Sequence, residues 1–236
     1  MSQAASSAPA ASLGGADSTA DAMLLSFVAA FVDTSGFIGL FGLFSAHVTG
    51  NFVLIGAELV HPGGYGLLGK LLALPVFVAA VILTVRLAQA LSVSGRTRVS
   101  VLLWIESALL AGAAVTPRLL GRPAQPDELS GLATGMIIVT AMGLQNALMR
   151  IDLPRMPMTT VMTGTVTQVT IDAMLLLGSA RGDPQVSLRL RRMWPTVVAF
   201  LLGAACGAEG YVLFDFWSLL VPAALCAWVG QRLRST

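Results

Sequence analysis

Charge is scarce in this sequence. Only 11% of its 236 residues are Lys, Arg, Asp or Glu, against roughly 25% in an ordinary soluble domain. The 56% hydrophobic share and mean hydropathy of +0.80 exceed what one water-facing globule can hide. Cysteine is nearly absent. Cys206 and Cys226 both lie in apolar stretches, which suits small core residues better than a disulfide. Histidine is equally rare. His47 and His61 have no ligand spacing around them, so no metal site is expected. No cofactor motif occurs either. The net charge of +2 and the lack of a long basic tract give no reason to expect a nucleic-acid partner. No P-loop, zinc helix or Gly-x-Ser-x-Gly elbow is present, so an enzyme is not expected. The weak exception is an Asp33–Asp172 pair sharing a proton.

What the chain has instead is continuous apolar runs. In a bilayer the backbone must bond to itself, which leaves helices or closed barrels. Barrel strands alternate apolar and polar residues. Runs such as 71–83 and 193–205 do not alternate, and read as helices. Eight segments follow one another at 22–44, 46–60, 67–91, 99–119, 129–149, 160–177, 193–212 and 214–230. A spanning helix needs about 20 residues. The second segment is short, and the sixth is crowded with Thr160, Thr163, Thr165, Thr167, Gln168, Thr170 and Asp172. Residues 1–20, rich in Ala, Ser and Gly without a basic residue, read as a disordered tail.

The two weak segments carry the same polar signature. It runs from Asp33 to Thr49, Gly50 and Asn51, and again from Gln145 and Asn146 to Thr163, Gly164 and Thr165. Setting Asp33 against Asn146 brings the Thr-Gly pairs within one residue of each other. The expected architecture is therefore an all-α polytopic membrane bundle with an internal two-fold repeat. Residues 21–120 form the first repeat and 128–232 the second, within one membrane domain. Six segments cross fully, and two are short and polar or re-entrant; alternatively all eight cross.

Basic residues help to weigh these. Eight crossings divide them nine to five between the two faces. Two re-entrant segments place Arg86, Arg96, Arg98, Arg150, Arg155, Arg181, Arg189, Arg191, Arg192, Arg232 and Arg234 together, with only Lys70, Arg118 and Arg122 opposite. The second division is the sharper, although letting only the sixth segment re-enter gives the same count. Each arrangement puts the C-terminus in the cytoplasm. Three crossings per half would make the repeats inverted, and four would make them parallel.

The stretches Val32-Asp33-Thr34, His47-Val48-Thr49-Gly50-Asn51, Gly143-Leu144-Gln145-Asn146-Ala147 and Thr159-Thr160-Val161-Met162-Thr163-Gly164-Thr165 resemble the YoaK family. These are small bacterial membrane proteins with a domain of unknown function. The resemblance covers nearly the whole chain after the tail, with Thr165 standing where the first half has Asn51. It implies a bacterial inner-membrane protein and leaves activity open.

Asp33 lies within the first span, where an acid costs at least ~2.5–3.5 kcal/mol and is a functional candidate by default. Gly36, Gly39 and Gly42 follow it and weaken the helix. Thr49 and Thr163 are placed to cap the helices after them, which would aim positive dipole ends at the bilayer middle. A tight turn in packed protein is the plainer account. Gln145 and Asn146 stand opposite Asp33 in the repeat and offer uncharged hydrogen bonds, or merely join helices. Thr165, Gln168 and Asp172 share one helical face, to line a pathway or to pack on another helix. Arg86 and Glu106 flank the connector 92–98, each roughly 10 Å into its span at 1.5 Å per residue, and are expected to form a structural ion pair. Small-xxx-small pairs at Ala108/Gly112, Gly131/Gly135 and Gly203/Gly207 suit close packing within one chain or in a homo-oligomer. Such a chain is expected to be a secondary transporter for a small polar or ionic solute, with Asp33 coupling a proton or cation. A passive channel and a non-transporting accessory subunit are the alternatives.

Overall fold

The computed structural model describes residues 15–235 apart from 62–65, 92, 94, 155, 158 and 180. Among these the order is α1 (Gly15–Gly39), α2 (Gly50–Val60), α3 (Leu68–Ala90), α4 (Gly95–Leu120), α5 (Leu129–Ile151), α6 (Met162–Leu177), α7 (Pro184–Phe214), a 3₁₀ turn (Asp215–Leu219) and α8 (Leu220–Ser235). Most of the expected tail lies outside the described residues. Its last part, 15–20, is helical rather than disordered and begins α1.

Five stretches are long and apolar enough to cross a bilayer: Thr19–Gly39, Leu68–Ala90, Gly95–Leu120, Leu129–Ile151 and Pro184–Arg234. The last holds α7 and α8 with the reversal between them, where Asp215 takes φ +55. Helices α2 and α6 are apolar but short. Helix α3 buries only 22% of its apolar window and exposes Leu71, Val78, Ile82 and Leu83. A helix that sheds its apolar side chains outward needs lipid as its solvent. The chain is a multi-pass membrane protein built as an all-helical bundle.

Side-chain neighbours fix the direction of each helix. Helix α7 runs with α1, because Gly203 faces Phe27 and Gly207 faces Phe31. The hydroxyl of Ser35 also donates to the Gly207 carbonyl at 3.0 Å. Helix α5 runs against α1, since Gly131 meets Leu40 while Gln145 reaches the Leu25 carbonyl. Helix α3 runs with α5, through Gly69 on Leu132 and Gly143 on Ala80. Helix α8 opposes α1, through Arg232 on Asp21 with Phe216 of the preceding turn beside Gly39, and opposes α4, through Gly230 on Ser100 and Cys226 on Glu106. So α1, α4 and α7 point one way and α3, α5 and α8 the other.

This decides the role of the short segments. Since α1 and α3 are antiparallel, the chain between them leaves and returns at the same end. Lys70 at the start of α3 donates to the Phe41 carbonyl just past α1, at 3.0 Å. The chain between α5 and α7 does the same at the opposite end. Neither α2 nor α6 crosses, and the eight-crossing alternative falls. At the end of the bundle holding the start of α1 lie the described arginines 86, 96, 98, 150, 181, 189, 191, 192, 232 and 234; Lys70, Arg118 and Arg122 lie at the other. Arg155 lies outside the described residues, as do Ser92 and Ser94 of the connector after α3.

Of the small-residue pairs, Gly203/Gly207 and Gly131/Gly135 pack within the chain. Gly112 meets nothing within 4 Å and Ala108 is exposed. Cys226 is buried, but Cys206 is exposed on α7, so it is not a core residue.

Candidate functional site

Helix α1 stops at Gly39 because the chain turns through two residues of positive φ, Phe41 at +53 and Gly42 at +80. The following stretch, 43–49, folds back along α1. Its backbone N–H groups would be unpaired inside the bilayer, a cost of several kcal/mol each. Asp33 receives them. Its Oδ1 accepts from the Ser45 amide at 2.7 Å, the Ala46 amide at 2.8 Å and the Ser45 hydroxyl at 3.1 Å. Its Oδ2 meets Nδ1 of His47 at 2.7 Å. The acid is 6% exposed. It therefore sits at a built turn rather than on bare helix, and its four partners account for its presence at that depth.

Asn51 holds the same turn from the other side. Its Oδ1 accepts from the Phe44 amide at 2.9 Å and its Nδ2 donates to the Phe44 carbonyl at 2.8 Å. Thr49 does not cap α2. It has helical dihedrals, makes no side-chain bond to the helix and is exposed. Thr163 does not cap α6 either: it is the helix's second residue, and Val161 precedes the helix without a side-chain cap. The two glycines differ as well. A Cβ on Gly50 would stand 2.9 Å from the Phe44 ring, whereas one on Gly164 would find its nearest neighbour, Val161, at 3.6 Å.

In the second half, α5 supplies the polar pair and the stretch after it supplies hydroxyls. Gln145 donates to the Leu25 carbonyl at 2.9 Å and to the Thr159 hydroxyl at 3.0 Å. The Thr160 hydroxyl donates to Asn146 Oδ1 at 2.5 Å, and Asn146 donates to the Met142 carbonyl at 2.9 Å. Both Gln145 and Thr159 are fully buried.

The two turns meet. The His47 ring reaches the backbone of Thr160 and stands edge-on to Phe200 of α7 at 5.6 Å between centroids. Asp33, His47, Thr160 and Asn146 thus form one chain of contacts from α1 to α5. Asp33 lies six residues from the end of α1 and Asn146 five from the end of α5, about 9 and 8 Å in from opposite ends. The junction between them is in the middle of the bundle.

Other expected site residues lie apart from this junction. Asp172 accepts from Gln168 at 2.8 Å and is gripped by Arg189, with Nε to Oδ2 at 2.7 Å. Its partners join α6 to α7, and among the described residues Asp33 and Asp172 share no partner. Thr165 bonds back to the Val161 carbonyl. The Arg86–Glu106 ion pair does not form. Arg86 is exposed, while Glu106 is fully buried with its carboxyl against the Cys226 thiol of α8. Helix α3 packs on α5 and α2, and α4 packs on α5 and α8, so the two residues are not on facing helices. Two clefts, of about 670 and 460 Å³, lie at the ends of α4 and are lined by none of these junction residues.

Sequence reasoning passed over His47, Thr159 and Thr160. The signal available was spacing: His47 follows Asp33 by 14 residues, as Thr159 follows Gln145 and Thr160 follows Asn146.

The profile of a family described as "Protein of unknown function (DUF1275)" matches residues 22–230. The chain belongs to the DUF1275 family. The match takes in both turns and every helix that builds the junction. Comparison with curated proteins and with solved structures finds no match. For this DUF1275 chain, chemistry has to be argued from the junction itself.

Proposed function

We propose that this chain is a secondary transporter or permease for a small polar or ionic solute, with its site where the two re-entrant segments meet. The observation that carries the reading is the antiparallel pairing of α1 with α5, each followed by a turn held at the same 14-residue spacing. We read this as an inverted repeat of α1–α4 on α5–α8. Exchanging the halves turns the α1–α7 contact into α5–α3 and α2–α3 into α6–α7, and it keeps α4 on α8; each of these pairs is packed. In the register that sets Asp33 on Asn146, His47 falls on Thr160. Transporters of this kind place their sites at the bilayer middle, in broken segments between inverted halves, and work by rocking one half against the other. In this reading the solute space at the junction opens as the halves move.

The arginine-rich end is taken as cytoplasmic, which places the C-terminus inside the cell. The membrane would be the bacterial inner membrane.

The test is reconstitution into liposomes holding a pH-sensitive dye, with a panel of small polar and ionic solutes added outside. Solute-dependent proton movement by the wild type, lost in Asp33→Asn, is the expected result. Flux that Asp33→Asn leaves intact and that never concentrates solute would favour a passive channel. A protein moving no solute in any arm, yet purifying with a stoichiometric partner, would favour an accessory subunit.

A further inference from the structure

The turn at Asp33 is built to hold a carboxylate. Three donors converge on Oδ1, two of them backbone amides whose protons cannot be removed. Hydrogen bonds to the charged form stabilise it. The proton between Asp33 Oδ2 and His47 Nδ1 therefore belongs on the ring nitrogen. The other side of the ring approaches the Thr160 backbone, where a carbonyl can only accept. A neutral imidazole protonated on Nδ1 would present a lone pair there. An imidazolium presents N–H to both neighbours. The charged group facing the ring is Asp33 from α1; α7 contributes Phe200 and the second turn contributes Thr160.

We propose that His47 is the proton-binding residue of the junction, and that its imidazolium form is the link between the two re-entrant turns. Asp33 positions the ring. Loss of one proton leaves the ring with a single N–H, which stays on Nδ1 against Asp33, so the bond to the Thr160 carbonyl is the one lost. The halves then part at this point. One proton bound or released at His47 thus corresponds to one closing or opening of the junction. The inference rests on the transport reading for its purpose, but the protonation state stands or falls separately.

The chain has two histidines, which makes the test direct. His61 is exposed at the end of α2, so His61→Asn leaves one ring to observe. With ¹⁵N-labelled histidine in lipid, the His47 signals at neutral pH are expected to show both nitrogens protonated. Raising the pH should convert them to one neutral tautomer, and a spin-label pair on residues 48 and 161 should lengthen over the same pH range. In Asp33→Asn the doubly protonated signature at neutral pH should be gone. A single-proton ring at every pH between 5 and 8, or a label distance that ignores the ring's titration, would overturn the proposal. A doubly protonated ring in a protein that moves no solute would sink the transporter reading and leave this one standing.

Discussion

Gly203 faces the backbone carbonyl of Phe27 so closely that a Cβ added to it would stand 2.3 Å from the oxygen. Backbone cannot swing aside as a side-chain tip can, so Gly203→Ala must push α7 off α1. The same holds one turn on, where a Cβ at Gly207 would meet the Phe31 carbonyl at 2.5 Å. Overpacking of this kind costs about 1–3 kcal/mol. Gly112→Ala is the control: nothing lies within 4 Å of its added carbon, and alanine favours helix by up to ~1 kcal/mol. Thermal unfolding in detergent should show a lower midpoint for Gly203→Ala and an unchanged or higher one for Gly112→Ala. Equal midpoints for the two would mean that α1 and α7 are not in this contact.

The paired Thr-Gly motifs should answer differently to the same change. At Gly50 the new carbon meets the Phe44 ring at 2.9 Å, and Asn51 pins both polar groups of the Phe44 backbone. The ring is also packed against Phe37, with centroids 4.7 Å apart, which limits its retreat. Gly50→Ala is expected to cost about 1–3 kcal/mol of stability. At Gly164 the new carbon makes only ordinary contact with Val161 at 3.6 Å, so Gly164→Ala should be neutral or mildly stabilising. A comparison of unfolding midpoints checks both at once.

Most of the fold was legible and half of the site was not, for one physical reason. Lipid burial writes itself into composition: long apolar runs, arginines gathered at one end, and two weaker segments, one short and one crowded with polar residues. Side-chain pairing leaves no such mark. Asp33, Gln145 and Asn146 stood out because polar atoms in apolar runs are rare, whereas Thr159 and Thr160 were ordinary and His47 was judged only as a metal ligand. Glu106 shows the converse. A partner was inferred for it from equal depth alone, and depth says nothing of which helices pack on each other. Thr49 and Thr163 failed as caps because each is already within or against helical backbone, where its hydroxyl has no free amide to meet.

Asp172 and Arg189 give a test of the second half. The acid is buried on α6, and the arginine reaches it from α7 with both Nε and a terminal nitrogen. Arg189→Gln leaves a buried carboxylate with only Gln168 for company. Asp172→Asn removes the charge that needs a partner. Breaking one side of such a pair is worse than removing both. The double substitution should therefore unfold at a higher temperature than Arg189→Gln alone. A double that is additive or worse would show that the two residues do not meet.

The start of α3 depends on Asp127, which lies in the connector before α5. Its carboxylate accepts from the amides of Leu67 at 2.8 Å, Leu68 at 3.0 Å and Gly69 at 2.8 Å. These are donors that the helix itself cannot satisfy. Burial alone would push this carboxyl up, but the amides of Gly69, Leu68 and Leu67, with the nearby charge of Lys70, outweigh it and hold it below its ordinary value. A group whose value is depressed by folding stabilises above its unfolded value and loses that contribution as the pH falls through the folded one. Asp127→Asn keeps one acceptor and tolerates the residue's φ of +62, so the backbone should hold while the charged bonds go. The wild type is expected to be more stable than Asp127→Asn by about 1 kcal/mol at neutral pH, the size of a helix cap. That difference should shrink as the pH drops below about 4, where free carboxyls protonate. Unfolding midpoints of the two proteins across pH 3–7 test it, and a gap that stays constant to the acid end would show that the charge of Asp127 does not hold α3.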